Sequence, residues 1–225
     1  MITQPRFELF AFWRTSATYR VRVALDLKGL HAVEHVINLD AGEQRSEAFL
    51  KINPLGAIPA LIDHEAGPSS APLTQSLAIL EYLDEVEPTP ALLPKDAYGR
   101  ARVRSIAAML VADTHPLITP RVKKYLTTEG KFDDAAFRAW QVRWFSTGLE
   151  AVEARLVAET QTGRFAHGDS VTMADICLAS ILAVTRVFKI DVAGIPTIDR
   201  IVRACEQIDA FAKAAPSRQV GAPKA

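Results

Sequence analysis

The stretch "FELFAFWRTSATYRVRVALDLKG", residues 7–29, decides the fold of the first half of the chain. "FELFAF" has the aromatic and aliphatic composition of a β-strand. Val21, Ala24 and Leu25 then recur at the three-and-four spacing of a helix face, and Gly29 is suited to ending that helix in the left-handed conformation. The stretch therefore predicts a strand and a helix joined by a short corner.

Three hydroxyl side chains lie in that corner, those of Thr15, Ser16 and Thr18. The first N–H groups of a helix lack partners within the helix, and hydroxyl oxygens commonly cap them. The same N–H groups and the positive end of the helix dipole also favour a bound anion. The corner alone is thus consistent with a structural cap and with an anion site.

The remaining pattern predicts two domains. "AVEHVIN", "AIPALID" and a helix over 76–86 continue a β-α-β core, which indicates an α/β domain over residues 1–87. The proline-rich segment "EPTPALLP" ends it. Residues 95–225 show helical stripes and no convincing strand, which predicts an all-α domain. Within that domain, "GDSVTMADICL" predicts a capping box formed by Thr172 and Asp175.

Composition makes several classes of function improbable. Lys plus Arg and Asp plus Glu number 26 each, so no overall charge favours nucleic acid or an acidic membrane surface. Cys177 and Cys205 show no CxxC spacing and follow no secretory leader, so we expect core thiols in a reducing cytoplasm, without a metal site. No apolar run approaches the roughly 20 residues of a membrane span.

Two more segments place polar groups near the ends of elements. In "NPLGAIPALID", Pro59 heads a strand that we expect to be an edge strand, since proline has no N–H for a ladder. We predict a cis Ile58–Pro59 bond, which would present the backbone of Ile58 to an extended peptide ligand. "QSLAILEYL" places Gln75 and Ser76 at a helix start, where they suit capping or anion binding.

In this order and spacing, "FWRTSATYRVRVALDLKG", "NPLGAIPALI" and "QSLAILEYL" resemble the glutathione-binding domain of the glutathione transferases. The likeness is greatest to the zeta class and the related bacterial isomerases, and it continues through "PTPALLP", "THPL" and "GDSVTMADICL". The resemblance implies a thioredoxin-like N-terminal domain and a C-terminal helical bundle. It also implies a cytoplasmic homodimeric enzyme of aromatic amino acid catabolism, with glutathione as cofactor.

The resemblance also implies which residues hold glutathione. Thr15 and Ser16 are the candidates for the catalytic contact with its sulfur. Gln44 would meet its glycyl end, Ile58 would pair through its backbone with the cysteinyl unit after a cis Pro59, and Gln75 with Ser76 would hold the γ-glutamyl group. His115 would be a further polar contact from the helical domain. A histidine beside Pro116 is equally consistent with a structural role.

An isomerase of this class acts on an unsaturated diacid, whose carboxylates suit arginine. Arg14 is the first candidate because the related isomerases also read "FWR", and Arg121 and Arg186 are the others. Each of them, taken alone, is also typical of a solvated surface arginine.

The chain departs from the zeta pattern at Ala17, where that class has a cysteine. A general glutathione transferase that conjugates, dehalogenates or reduces peroxides is therefore an alternative. A non-catalytic glutathione or ligand carrier and a protein-interaction module are further ones.

Overall fold

A computed structural model describes residues 5–67 and 70–223. Its backbone divides into two compact units. The first runs to Leu92 and includes the residues from Asp209 onward, and the second is Leu93–Ile208. The sequence-based division grouped residues 209–225 with the helical domain, whereas the contacts group them with the α/β unit.

The elements are as follows. The strands are β1 (Phe7–Ala11), β2 (Ala32–Val36), β3 (Ala60–Asp63) and β4 (Leu73–Thr74). The helices are α1 (Ser16–Leu27), α2 (Glu47–Ile52), α3 (Ser76–Val86), α4 (Ala97–Ala108), α5 (Pro120–Thr128), α6 (Asp134–Ala158), α7 (Met173–Val187), α8 (Pro196–Glu206) and α9 (Asp209–Ala214). Short 3-10 turns and one π-helical segment, Met109–Thr114, connect some of them.

The first unit contains a four-stranded mixed sheet in the order β2-β1-β3-β4. β1 runs parallel to β2 and antiparallel to β3, and β4 pairs antiparallel with β3. This confirms the predicted β-α-β core followed by further strand and a helix. The helix end at Gly29 is also confirmed, since its φ is 65°.

The prediction of an edge strand after Pro59 is wrong, because β4 covers the outer side of β3. A strand of two residues is too short to show an alternating pattern, so β4 could not be predicted from the sequence. Pro59 is tolerated because it lies just before the ladder, which begins at Ala60.

Strand register brings three loops to one end of the sheet. Phe10 pairs with Ala60, and Ala60 pairs with Thr74. β1 ends, β3 begins and β4 ends at that level. The corner after β1, the Ile58–Pro59 segment and the start of α3 therefore share this end.

The second unit is helical. Among residues 93–208 the only β-type pairing is an isolated bridge between Thr162 and Gly168. Its central helix, α7, is buried along most of its length. Cys177 and Cys205 are both buried, and neither forms a disulfide. None of the helices within the described residues combines the length and hydropathy of a membrane span.

The predicted capping box of α7 is confirmed. The buried Asp175 carboxylate accepts hydrogen bonds from Ala166 N–H at 2.6 Å, and from Thr172 N–H and hydroxyl at 2.8 Å. Burial raises the pKa of Asp175 to about 6, because the loss of hydration outweighs these three bonds. Asp175 therefore takes up a proton more readily in the folded state than in the unfolded chain.

This has a testable consequence for stability. The unfolded pKa is about 4, so the contribution of Asp175 is largest below that pH and declines as the pH rises through about 6. We expect Asp175→Asn to lower the free energy of unfolding by about 1–3 kcal/mol at about pH 5, since an NH2 group replaces one of the two oxygens that accept from buried donors. The deficit should shrink towards about pH 7. Urea unfolding at both pH values measures it, and a deficit independent of pH would contradict the assignment.

Candidate functional site

Thr15 is the N-cap of α1. Its hydroxyl oxygen accepts a hydrogen bond from Thr18 N–H at 3.3 Å and lies 2.6 Å from the Thr18 hydroxyl. Its backbone is extended, with φ −84° and ψ 130°, as a cap requires. Helix capping thus accounts for Thr15, and the Thr15 and Thr18 hydroxyls are hydrogen-bonded to each other.

Ser16 differs from its neighbours. Its side chain is buried, with the residue 1% exposed, and its hydroxyl has no hydrogen-bond partner within the described part of the chain. It lies at the first turn of α1, where backbone N–H groups also lack helical partners. A buried hydroxyl without a partner costs free energy that an incoming polar group could restore. Of these two hydroxyls, that of Ser16 lacks a partner among the described residues, whereas that of Thr15 has one.

Removal of the Thr15 hydroxyl and removal of the Ser16 hydroxyl should therefore have different effects on the free energy of unfolding. Thr15→Val removes the cap, and we expect it to lower the free energy of unfolding by about 0.5–2 kcal/mol. Ser16→Ala removes no hydrogen bond of the ligand-free protein, so its effect should stay within about 0.5 kcal/mol. Urea unfolding without ligand tests this. A loss on Ser16→Ala as large as that on Thr15→Val would show that Ser16 has a structural partner.

A buried cation lies directly behind the corner. Arg20 is 1% exposed and follows Ser16 by four residues, one turn along the same face of α1. Its Nε donates a hydrogen bond of 2.9 Å to the Ser76 hydroxyl at the start of α3. Arg20 therefore ties two of the predicted polar corners together.

Gln75 precedes α3 with an unusual backbone. Its φ is 67°, which is uncommon for a residue other than glycine, and its side chain makes no cap hydrogen bond. Such strain persists where the surrounding structure imposes it, often at binding sites. Gln75 is exposed, whereas Ser76 beside it is buried.

The Ile58–Pro59 bond is cis, as predicted. Ile58 lies outside the ladder that begins at Ala60. It takes part in none of the turn and loop backbone hydrogen bonds found among residues 5–67 and 70–223. The structure thus shows no backbone hydrogen bond of Ile58 among the described residues, and its predicted pairing with a peptide ligand stays a prediction.

Gln44 lies in the 3-10 turn Glu43–Arg45. Its side-chain oxygen is buried and has no partner in the described residues. Gly56, with φ 61°, lets the segment before Ile58 lie against this turn, since a Cβ there would come within 2.8 Å of the Gln44 carbonyl oxygen. Gln44 and Ser16 thus share the same property, a buried polar atom without a protein partner.

Arg14 is partly buried, with 26% of its side chain exposed. Its guanidinium lies 5.1 Å from the centre of the Phe12 ring and 5.5 Å from that of Trp13. It binds both carboxylate oxygens of Asp40, one of them at 2.7 Å. Arg14 was predicted to bind a substrate carboxylate, and in this structure it binds the carboxylate of Asp40.

The other candidates belong to the second unit. His115 is half-buried and begins a 3-10 turn after the π-helical segment. Arg121 is exposed in the first turn of α5. Arg186 is exposed near the end of α7 and forms an ion pair with Glu206. Their predicted binding roles stay predictions.

Two residues at this end of the sheet, Arg20 and Asp40, were not among the predicted site residues. Arg20 could have been noticed as a charged residue on the face of α1 that also carries Ser16. Asp40 had no comparable signal, because an acidic residue in a loop is ordinarily solvated.

Comparison with known proteins agrees with this geometry. Residues 5–85 match the family described as Glutathione S-transferase, N-terminal domain. The chain is 40% identical over 212 residues to a maleylpyruvate isomerase from Ralstonia sp, covering 94% of this chain and 98% of that protein. The chain belongs to the glutathione transferase family. The resemblance noted from the sequence is confirmed.

Solved structures narrow its place in the family. A maleylacetoacetate isomerase from Methylobacterium extorquens AM1, with bound malonate and GSH, has a TM-score of 0.92 and 45% identity, covering 96% of this chain and 100% of that one. The holo structure of a maleyl pyruvate isomerase of the zeta class has a TM-score of 0.90 and 39% identity, again covering 96% and 100%. This transferase is a zeta-class member with the glutathione transferase fold.

Proposed function

We propose that this transferase is a glutathione-dependent cis-trans isomerase of an unsaturated diacid of the maleylacetoacetate or maleylpyruvate type. The observation that carries the proposal is the buried, unpartnered hydroxyl of Ser16 at the start of α1. Relatives that match over nearly their whole length and are named for this reaction support it.

The residues at this end of the sheet fit glutathione. Two buried polar atoms, Ser16 Oγ and Gln44 Oε1, lack partners within the described residues. The Ser16 hydroxyl can donate to the sulfur, and Gln44 Oε1, which can only accept, suits the N–H of the glycyl unit. The backbone of Ile58 suits its cysteinyl unit, and Ser76 with Gln75 suits its γ-glutamyl group. Bound glutathione supplies a thiolate that adds to the substrate double bond, allows rotation about it, and leaves again.

The chain holds enough to favour the thiolate. Lowering a thiol pKa by about two units requires roughly 2.7 kcal/mol. A helix N-terminus supplies about 0.5–2 kcal/mol, and a hydrogen bond from Ser16 to a charged acceptor adds about 1.5–3 kcal/mol. The buried Arg20 cation, one turn further along α1, acts in the same direction. Ser16 and the helix end together contribute about 2–5 kcal/mol, a range that includes the free energy required for such a shift.

Arg14 supplies the carboxylate contact in this proposal. It lies two residues before Ser16, so an acid group bound there places the rest of the substrate near the sulfur. Its paired N–H donors match a carboxylate, as the contact with Asp40 demonstrates.

Ala17 favours a second candidate function. It stands where the zeta class has a cysteine, so any help from that thiol is missing. A general glutathione transferase that conjugates, dehalogenates or reduces peroxides would keep the Ser16 contact and need no diacid site.

Family membership also supports a homodimer in the cytoplasm, acting in aromatic amino acid catabolism. The chain is 24.6 kDa. Sedimentation that shows only the single-chain mass at micromolar concentration would contradict the homodimer.

Turnover of the diacid tests the substrate. We expect maleylacetoacetate or maleylpyruvate to be isomerised only with glutathione present. Arg14→Ala should lower kcat/KM by about 10- to 150-fold, since a charged hydrogen bond is lost. The affinity for glutathione should hardly change. Full diacid activity in Arg14→Ala would rule out Arg14 as the substrate contact. A wild-type protein that does not isomerise either diacid would instead favour the general transferase.

A separate experiment tests the sulfur contact. Ser16→Ala should raise the pKa of bound glutathione by about one to two units, because the thiolate loses a hydroxyl donor. Thiolate absorbance against pH gives this pKa, and Thr15→Val is the matched control from the same corner. If neither substitution raises it, the backbone N–H groups alone stabilise the thiolate.

A further inference from the structure

The ion pair between Arg14 and Asp40 takes a form that a substrate carboxylate would also take. Nη1 and Nη2 of Arg14 each donate to a different oxygen of Asp40. This is the fork-like pairing by which arginine recognises carboxylates in general. Asp40 is 58% exposed, so the pair lies where a small anion from solvent can reach it.

The loop that carries Asp40 is itself ordered by hydrogen bonds. The Asn38 side-chain oxygen accepts from Asp40 N–H at 3.0 Å and from Ala41 N–H at 3.2 Å, an Asx turn. The Asn38 N–H in turn donates to the Glu43 carboxylate at 2.7 Å. Asp40 is therefore fixed in place before any ligand arrives.

We propose that Asp40 is a specificity-determining residue that competes with the substrate carboxylate for Arg14. This inference rests on the proposed function. A diacid either displaces Asp40 from the fork or shares Arg14 with it, and in both cases the negative charge of Asp40 opposes binding. Asp40 therefore weakens the binding of acids and leaves neutral substrates unaffected.

An exposed ion pair is weak enough for this exchange. Such pairs contribute modestly and are screened by water and salt. Breaking the Arg14–Asp40 contact thus opposes acid binding only mildly, so Asp40 adjusts affinity and does not block the site.

Binding of a saturated dicarboxylate to the glutathione-loaded protein tests the proposal. Malonate is the probe, and calorimetric titration gives its dissociation constant. Asp40→Asn keeps the size of the side chain and removes its charge, so malonate should bind about 2- to 5-fold more tightly. Glu85→Gln, which removes an exposed charge from the same unit, is the matched control and should leave the constant unchanged.

A double-mutant cycle makes the test specific for Arg14. In the Arg14→Ala background, Asp40→Asn should have no effect on malonate binding, because the group they compete for is gone. The KM for a neutral conjugation substrate such as chlorodinitrobenzene should be the same with and without Asp40→Asn.

Weaker malonate binding on Asp40→Asn would overturn the proposal, since Asp40 would then position Arg14 instead of competing for it. An unchanged constant, or the same gain with Arg14→Ala present, would overturn it as well. Failure of the proposed function is seen separately. In that case the wild-type protein would not isomerise the diacid, whatever Asp40→Asn does to malonate binding.

Discussion

The site depends on the register of the sheet. Because Phe10 pairs with Ala60 and Ala60 with Thr74, three loops from distant parts of the first unit end at one level. A shift by one residue would turn every side chain of a strand to the opposite face and separate these loops. The bond from buried Arg20 to Ser76 fixes the same arrangement on the helix side. Fold and site are therefore held by the same contacts.

Neighbouring hydroxyls in the corner before α1 differ in their hydrogen bonding. Thr15 and Thr18 satisfy each other and the helix end, so their oxygens are already engaged. Ser16 is buried, as Thr18 is, yet its hydroxyl has no partner in the part of the chain that the structure describes. A folded protein rarely leaves a buried polar group unpaired unless a ligand or water completes it. The thiolate of glutathione is the group that completes it in our account.

The sequence was informative where a signal is local. The strand and helix of residues 7–29, the end at Gly29 and the capping box at Asp175 each follow from a few adjacent residues. The family resemblance added candidates for the glutathione contacts. It could not separate Thr15 from Ser16, because their difference lies in hydrogen-bond partners that form only in the fold. Strand β4 was missed because a strand of two residues is too short to show an alternating pattern. The pairing of Arg14 with Asp40 was missed because the two residues lie 26 positions apart.

A structure of the protein crystallised with glutathione tests the central claim most directly. The account predicts the sulfur within hydrogen-bonding distance of Ser16 Oγ. It also predicts the cysteinyl backbone paired with Ile58 and the γ-glutamyl carboxylate at Ser76. A sulfur held by Thr15, or glutathione bound away from this end of the sheet, would contradict it.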